Sequence, residues 1–229
     1  MTGFGTGSSL REGVPLPQAG PPGAAEGPGV SEPYPWPYDA PLDPTRLTLV
    51  IAGAQRSWAE ATTDADALVP LIGATADAVR RAGGSVVRLR HIAPGAPSRK
   101  GRSRPSEDRP SPVEDPGVAG LGVDPLIEAT GIDGFSGSGL EDFLRSRGST
   151  HLALAGFGLE GPVHSTLRSA NDRGYECLVL TDACSPVDER LRAPAISTVT
   201  MSGGIFGDVA PTTYLLSLLS EPQRTEEPQ

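Results

Sequence analysis

Residues Leu152 to Ala183 read LALAGFGLEGPVHSTLRSANDRGYECLVLTDA. Leu152-Ala153-Leu154-Ala155 is a short apolar run of the length of a buried strand. Gly156, Gly158 and Gly161 then interrupt it, as glycine does where the backbone must turn tightly. Pro162 is placed to open a helix, because the N–H it lacks would be unpaired there anyway. Val163, Leu167 and Ala170 repeat at near-helical spacing, and Gly174 is the expected C-terminal cap. Cys177-Leu178-Val179-Leu180 is a second apolar run, expected to end at Thr181-Asp182. Two buried strands joined by one helix imply a parallel βαβ unit. Ligands of such sheets bind at the carboxyl ends of the strands, so chemistry is expected at the turn Gly156–Pro162. That turn carries no strong nucleophile.

Working outward, the same pattern recurs upstream. Leu47–Ala52 is an apolar strand followed by Gly53-Ala54-Gln55. Ala65–Ala82 places Leu68, Leu71, Ile72, Ala76 and Val79 on one helical face, and Gly83-Gly84 stops it. Ser85–His91 is the next strand. Asp124–Ala129 reads as a short third strand, Gly131–Gly139 as a glycine-rich turn around Phe135, and Leu140–Arg147 as a short helix. Downstream, Asp188–Ala195 reads as helical, Ile196–Met201 as a last strand, Gly203-Gly204 as a turn and Thr212–Leu219 as a final helix. The expected architecture is α/β: a three-layer, doubly wound, mostly parallel sheet of about six strands.

Composition sets the bounds. The 229 residues suffice for one domain with a sizeable core. Residues 1–32 are rich in Gly, Pro, Ser and Ala, and are expected to be a disordered tail ahead of a domain spanning 33–220. The polar tail 221–229 is expected to fray. Within the domain, residues 93–122 form a long connection made basic by Arg99, Lys100, Arg102, Arg104 and Arg109, either a solvated loop or an anion-binding lid. The aromatics and prolines of Tyr34-Pro35-Trp36-Pro37-Tyr38 form a stiff arm that covers its own domain or contacts a neighbouring subunit. A formal net charge of −9 argues against a general nucleic-acid binder. Cys177 and Cys184 would stand roughly 23 Å apart on one extended strand, where a disulfide needs Cα atoms within about 7 Å. Free thiols and a reducing, cytoplasmic setting are expected. No apolar run approaches a membrane span, and the first residues carry no signal-peptide core.

These residues carry a resemblance. HSTLRSANDRGYECLVLTDAC, Gly203-Gly204-Ile205-Phe206-Gly207, the YPWPYD arm and LTLVIAGAQ are similar to the isochorismatase-like cysteine hydrolases. Within them, they resemble the amidohydrolases of ureido compounds and biuret. The resemblance spans roughly Tyr34 to Leu219. It implies helices on both faces of a parallel sheet of about six strands, usually assembled as dimers or tetramers; the expected partner is a second copy or an active relative, and no cofactor is expected. It also implies three catalytic positions: an aspartate two residues before a glutamine, a lysine six residues before a phenylalanine, and a cysteine opening a helix just before a valine. A thiol at a helix start gains thiolate character. The aspartate takes its proton, and backbone N–H groups hold the oxyanion. Matched residue by residue, through Gln55, Phe135 and Val163, these positions are Gly53, Ala129 and Pro162. None can perform its role, and Pro162 lacks the N–H an oxyanion hole would use. Arg56-Ser57-Trp58-Ala59 supplies no metal ligands, and no metal site is expected.

The remaining pocket candidates are Gln55, Asp133 and Phe135, with Gly158, Leu159 and Glu160 in the turn. His164 on the first helical turn and Cys184 beyond a strand end complete them. Glu160 or Asp133 could bind a cationic ligand or act as a base; His164 is a packed or capping histidine, or part of a remodelled site; Cys184 is a bystander or a substitute nucleophile. Ser165 and Thr166 are expected to hydrogen-bond locally. The functional expectation is a catalytically degenerate hydrolase relative that binds a partner subunit or a small molecule. The alternatives are a C–N hydrolase with a remodelled site, and a docking module built on the basic loop.

Overall fold

The computed structural model describes residues 36–38, 41–62, 64–92 and 117–220. The tails expected at 1–32 and 221–229, and the basic residues of the long connection, lie outside the described residues. The first strand, β1, is Leu47–Ala52, buried along its whole length. A short helix α1 (Arg56–Glu60) and the long α2 (Ala65–Arg81) follow. α2 buries Leu68, Ile72, Ala76 and Val79, the face its periodicity dictates. Then come β2 (Ser85–Ile92), β3 (Leu126–Thr130) and α3 (Leu140–Ser146). β4 (His151–Phe157), α4 (His164–Asn171) and β5 (Glu176–Ser185) form the central βαβ unit. The chain ends with α5 (Arg192–Val199), α6 (Met201–Gly204), β6 (Asp208–Ala210) and α7 (Thr212–Ser220).

The six strands are all parallel, in the order β3-β2-β1-β4-β5-β6. The connection from β3 to β4 reverses the direction of growth, so the topological switch lies between β1 and β4. Two apolar layers cover the sheet. One packs α2 and Leu215 of α7 against Leu49, Ile51, Ala153 and Leu178. The other packs α3, α4 and α5 against Val50, Val87, Leu154 and Val179. The fold is thus the α/β three-layer arrangement expected.

Four elements differ from the sequence reading, the first being Gly203-Gly204, expected as a turn and found at the end of α6. Ile196–Met201 is not a strand: α5 continues to Val199, with Ala195 and Val199, four residues apart, as its buried pair at a helical period, and Met201 opens α6. The last strand is instead the three-residue β6. β5 does not stop at Thr181-Asp182 but continues to Ser185, after the register against β4 shifts between Leu154 and Gly156. The Asp182 carboxylate accepts hydrogen bonds from the Thr212 N–H (2.7 Å) and hydroxyl (2.8 Å), tying that irregularity to the start of α7. Finally, Pro162 does not open α4. It lies in a wide π-type turn, Leu159–Val163, and the regular helix begins at His164.

Candidate functional site

The glycine turn after β4 meets the end of β1 at the switch point. Gly158 has φ +80°, the left-handed region in which glycine carries no side-chain penalty, and its N–H donates to the Ser185 carbonyl at 2.8 Å. The N–H groups of Gly161 (3.0 Å) and Val163 (3.3 Å) both donate to the Gly158 carbonyl. The His164 N–H is spent on the Gly161 and Leu159 carbonyls. Around Pro162, which has no N–H of its own, these backbone donors are therefore used inside the turn. An oxyanion would find no preorganised donor among them.

The space against the turn is filled by Trp58 of α1. A Cβ built on Gly158 would stand 2.7 Å from Trp58 Cε3 and 2.8 Å from Pro162 Cδ, and one on Gly161 would stand 3.5 Å from Trp58 Cη2. The indole thus lies directly on the bare backbone of the turn. Gly53 follows β1 directly with φ +63°, and a Cβ there would come within 2.3 Å of the Phe157 carbonyl oxygen and 3.4 Å of Trp58 Cβ. Gly53, Ala129 and Pro162 are all buried.

The other candidates separate into small groups. Gln55 is buried and clamps the end of β2: its amide donates to the His91 carbonyl at 3.0 Å and its carbonyl accepts the His91 N–H. The His91 ring bonds the Gly131 carbonyl at 3.1 Å, and burial pushes its pKa down to about 4. Asp133 accepts from the Phe135 N–H (3.0 Å) and the Ser169 hydroxyl (2.8 Å). Phe135 stacks on Tyr175 at 6.2 Å beneath the Arg173 guanidinium. Next to them the Gly134 N–H donates to Thr166 Oγ1 at 2.9 Å, closing the β3 turn onto α4.

Leu159 is core. Glu160 holds the Val187 and Asp188 N–H groups, both at 3.0 Å, and so pins the chain leaving β5. Glu160 and His164 share a cavity of about 210 Å³ with Leu191, Pro194 and Thr198. The Arg168 Nε–H donates to His164 Nδ1 at 3.3 Å, leaving Nε2 to carry the proton of the neutral ring. Burial, and then the Arg168 charge, lower the His164 pKa. Cys184 is fully buried, its thiol facing the Leu154 carbonyl at 3.6 Å, and burial pushes its pKa up to about 12. Both cysteines are free. A larger, open cavity of about 500 Å³ lies between α1–α2 and Val118–Ala119, away from every candidate residue.

Among the described residues, no three His, Cys, Asp or Glu side chains stand close enough to hold a metal ion, and no helix is long and apolar enough to cross a membrane. Sequence reasoning missed the part played by Trp58, although the signal was present. Turn glycines at 158 and 161 require that something approach the backbone closely, and an aromatic stands three residues after Gln55.

A doubly wound sheet with a helix-opening glycine turn at its switch point defines an α/β protein with its site at the strand ends. The profile of the Isochorismatase domain matches residues 48–211, and the chain belongs to that family. Solved structures of similar fold include a cysteine hydrolase from Pseudomonas syringae pv. phaseolicola (20% identity, TM-score 0.66), covering 79% of this chain and 95% of that one. An isochorismatase family protein from Burkholderia thailandensis is 22% identical, with a TM-score of 0.62 over 83% of this chain and 100% of that one. The pyrazinamidase of Pyrococcus horikoshii, solved in complex with zinc, is 20% identical, with a TM-score of 0.61 over 72% of this chain and 99% of that one.

Proposed function

We propose that this chain is a catalytically degenerate member of the isochorismatase family, which binds a partner subunit or a small molecule instead of turning over a substrate. The observation that carries this reading is the turn at Pro162. A residue without nucleophile or N–H stands where the family mechanism needs both, and the neighbouring donors are spent on the Gly158 and Gly161 carbonyls. Three further features support it. Gly53 and Ala129 carry no functional group. Trp58 lies against the turn where a substrate would approach. The Cys184 thiol is too buried and too weakly acidic to be a ready nucleophile. Loss of a nucleophile alone lowers turnover by roughly 10⁴- to 10⁶-fold.

A second reading, a C–N hydrolase with a remodelled site, rests on the cavity shared by Glu160 and His164. Against it, the Glu160 carboxylate is occupied by two backbone N–H groups, and the His164 nitrogen that could take a proton already accepts a hydrogen bond from the Arg168 Nε–H. The resemblance to the ureido- and biuret-hydrolysing branch selects the substrates for the test. Purified protein is assayed for ammonia release from biuret, ureidoacrylate and simple amides, beside Cys184→Ala and Glu160→Gln. The expected result is no release above buffer. Release from the natural protein that disappears in either variant would establish turnover and discard the binding reading.

A further inference from the structure

The aromatic arm is the sequence motif that the site does not use, and it has its own anchorage. Trp36 is completely buried, in the apolar cluster that contains Leu178, Leu180 and Leu215. The Trp36 N–H donates to the Asp208 carboxylate at 3.3 Å, and the Tyr38 N–H to the Glu176 carboxylate at 3.1 Å. The Trp36 carbonyl accepts the Tyr214 hydroxyl. The Trp36 ring stands edge-on to His151 at 5.6 Å. His151 Nε2 lies 3.0 Å from the same Glu176 oxygen that holds Tyr38, and its Nδ1 lies 2.9 Å from the Thr150 hydroxyl. The Trp36 indole N–H is buried with no partner among the described residues, so the seated arm carries a polar group that water would satisfy.

We propose that the Trp36–Tyr38 segment is an acid-released clasp. The Glu176 and Asp208 carboxylates and the neutral ring of His151 hold it shut, and protonation of His151 frees it and uncovers the apolar seat of Trp36. The charged groups around the cluster come from every element it touches. Glu176 on β5 faces His151 on β4, Asp43 and Arg46 act on His151 from the turn before β1, Asp208 begins β6, and the Tyr214 hydroxyl reaches in from α7.

The direction follows from linkage. With the arm seated, burial lowers the His151 pKa, outweighing the attraction of Glu176. With the arm released, the ring returns to water and to its ordinary value near 6.5. The open form therefore binds the proton more readily. The clasp is shut above about pH 6.5 and opens progressively below it.

The test uses the full chain with Trp58→Phe, which leaves Trp36 as its single tryptophan. Acrylamide quenching of Trp36 fluorescence is followed from pH 8 to 5, with circular dichroism reporting the body of the fold. The expected result is a several-fold rise in the quenching constant and a red shift of emission, both starting below about pH 6.5, while the helical signal stays constant. In His151→Gln the profile becomes flat over the same range. Quenching that stays flat in the parent, or a profile unchanged in His151→Gln, overturns the clasp. If His151→Gln does not fold, hydrogen exchange of the natural chain decides. The Trp36 and Tyr38 amides lose protection at low pH while those of β1 and β4 keep theirs. Equal loss at all of them would be global unfolding and would also overturn it.

Discussion

Replacing Gly53 tests whether the end of β1 has departed from a geometry that could carry a catalytic aspartate. Two costs fall on any side chain there. A left-handed backbone costs an L-residue about 1–2 kcal/mol. The second cost is steric: the new Cβ would sit 2.3 Å from the Phe157 carbonyl oxygen, where ordinary contacts are 3.4–4 Å. Relief requires β1 or β4 to shift, and overpacking of this kind costs about 1–3 kcal/mol. Gly53→Ala should therefore lose about 2–5 kcal/mol by these two costs together. Gly148 provides the control. Its φ is +64°, nearly the same, but a Cβ there meets nothing within 4 Å. Gly148→Ala should lose only the backbone cost, about 1–2 kcal/mol. Urea unfolding of the two variants isolates the steric cost; with a slope of about 2 kcal/mol per molar, the midpoints should differ by roughly 0.5–1.5 M. Coincident midpoints would refute the reasoning. They would also mean that position 53 accepts a side chain without a steric cost, which the approach of the Phe157 carbonyl argues against.

Three further outcomes are expected. Trp58→Ala should cost about 1–3 kcal/mol, less than a fully buried tryptophan because the residue is only partly buried, and added indole should raise the melting temperature of the variant but not of the natural chain. No effect of indole on the variant would show that the ring does not fill a defined slot. Cys177 and Cys184 should resist iodoacetamide in the native state and react only on unfolding, because burial excludes the reagent and raises both thiol pKa values. Rapid native labelling detected by mass spectrometry would contradict their placement. Burial of His91 holds its pKa near 4, so the unfolded chain takes up a proton that the folded chain refuses. Its contribution is lost as pH falls from about 6.5 to about 4, on the order of 3 kcal/mol in full. Unfolding free energies of His91→Phe should vary less over that range, and an identical slope would refute the assignment.

The sequence made the interior of the sheet legible because burial on both faces writes itself as continuous apolar runs. β1, β2, β4 and α2 stand close to where their patterns place them. Elements decided by tertiary context were not legible. β6 has three residues and no periodicity to show. The β-branched residues of Ile196-Ser197-Thr198-Val199-Thr200 suggest a strand, yet packing of Ala195 and Val199 against the second apolar layer makes them helical. At the site, the residue types at Gly53, Ala129 and Pro162 were read directly, and the catalytic positions assigned to them were what the resemblance implied. What now occupies the space could not, because Trp58 reaches Gly158 through a hundred residues of intervening chain, a contact that spacing alone does not encode.

The edges of the sheet bear on how this chain meets others. β6, at one edge, spans three residues and runs straight into Pro211, which has no N–H to offer a ladder. β3, at the other, is five residues long, follows Pro125 and carries Glu128 paired with Arg90. Short edges, flanking prolines and an edge charge are the features that blunt strand-to-strand addition and fibre growth. Neither margin invites another strand, so self-association by extending the sheet is disfavoured at both. The physics steers any assembly of this chain toward its helical and loop surfaces, and those are where crosslinks or interface substitutions should be placed first.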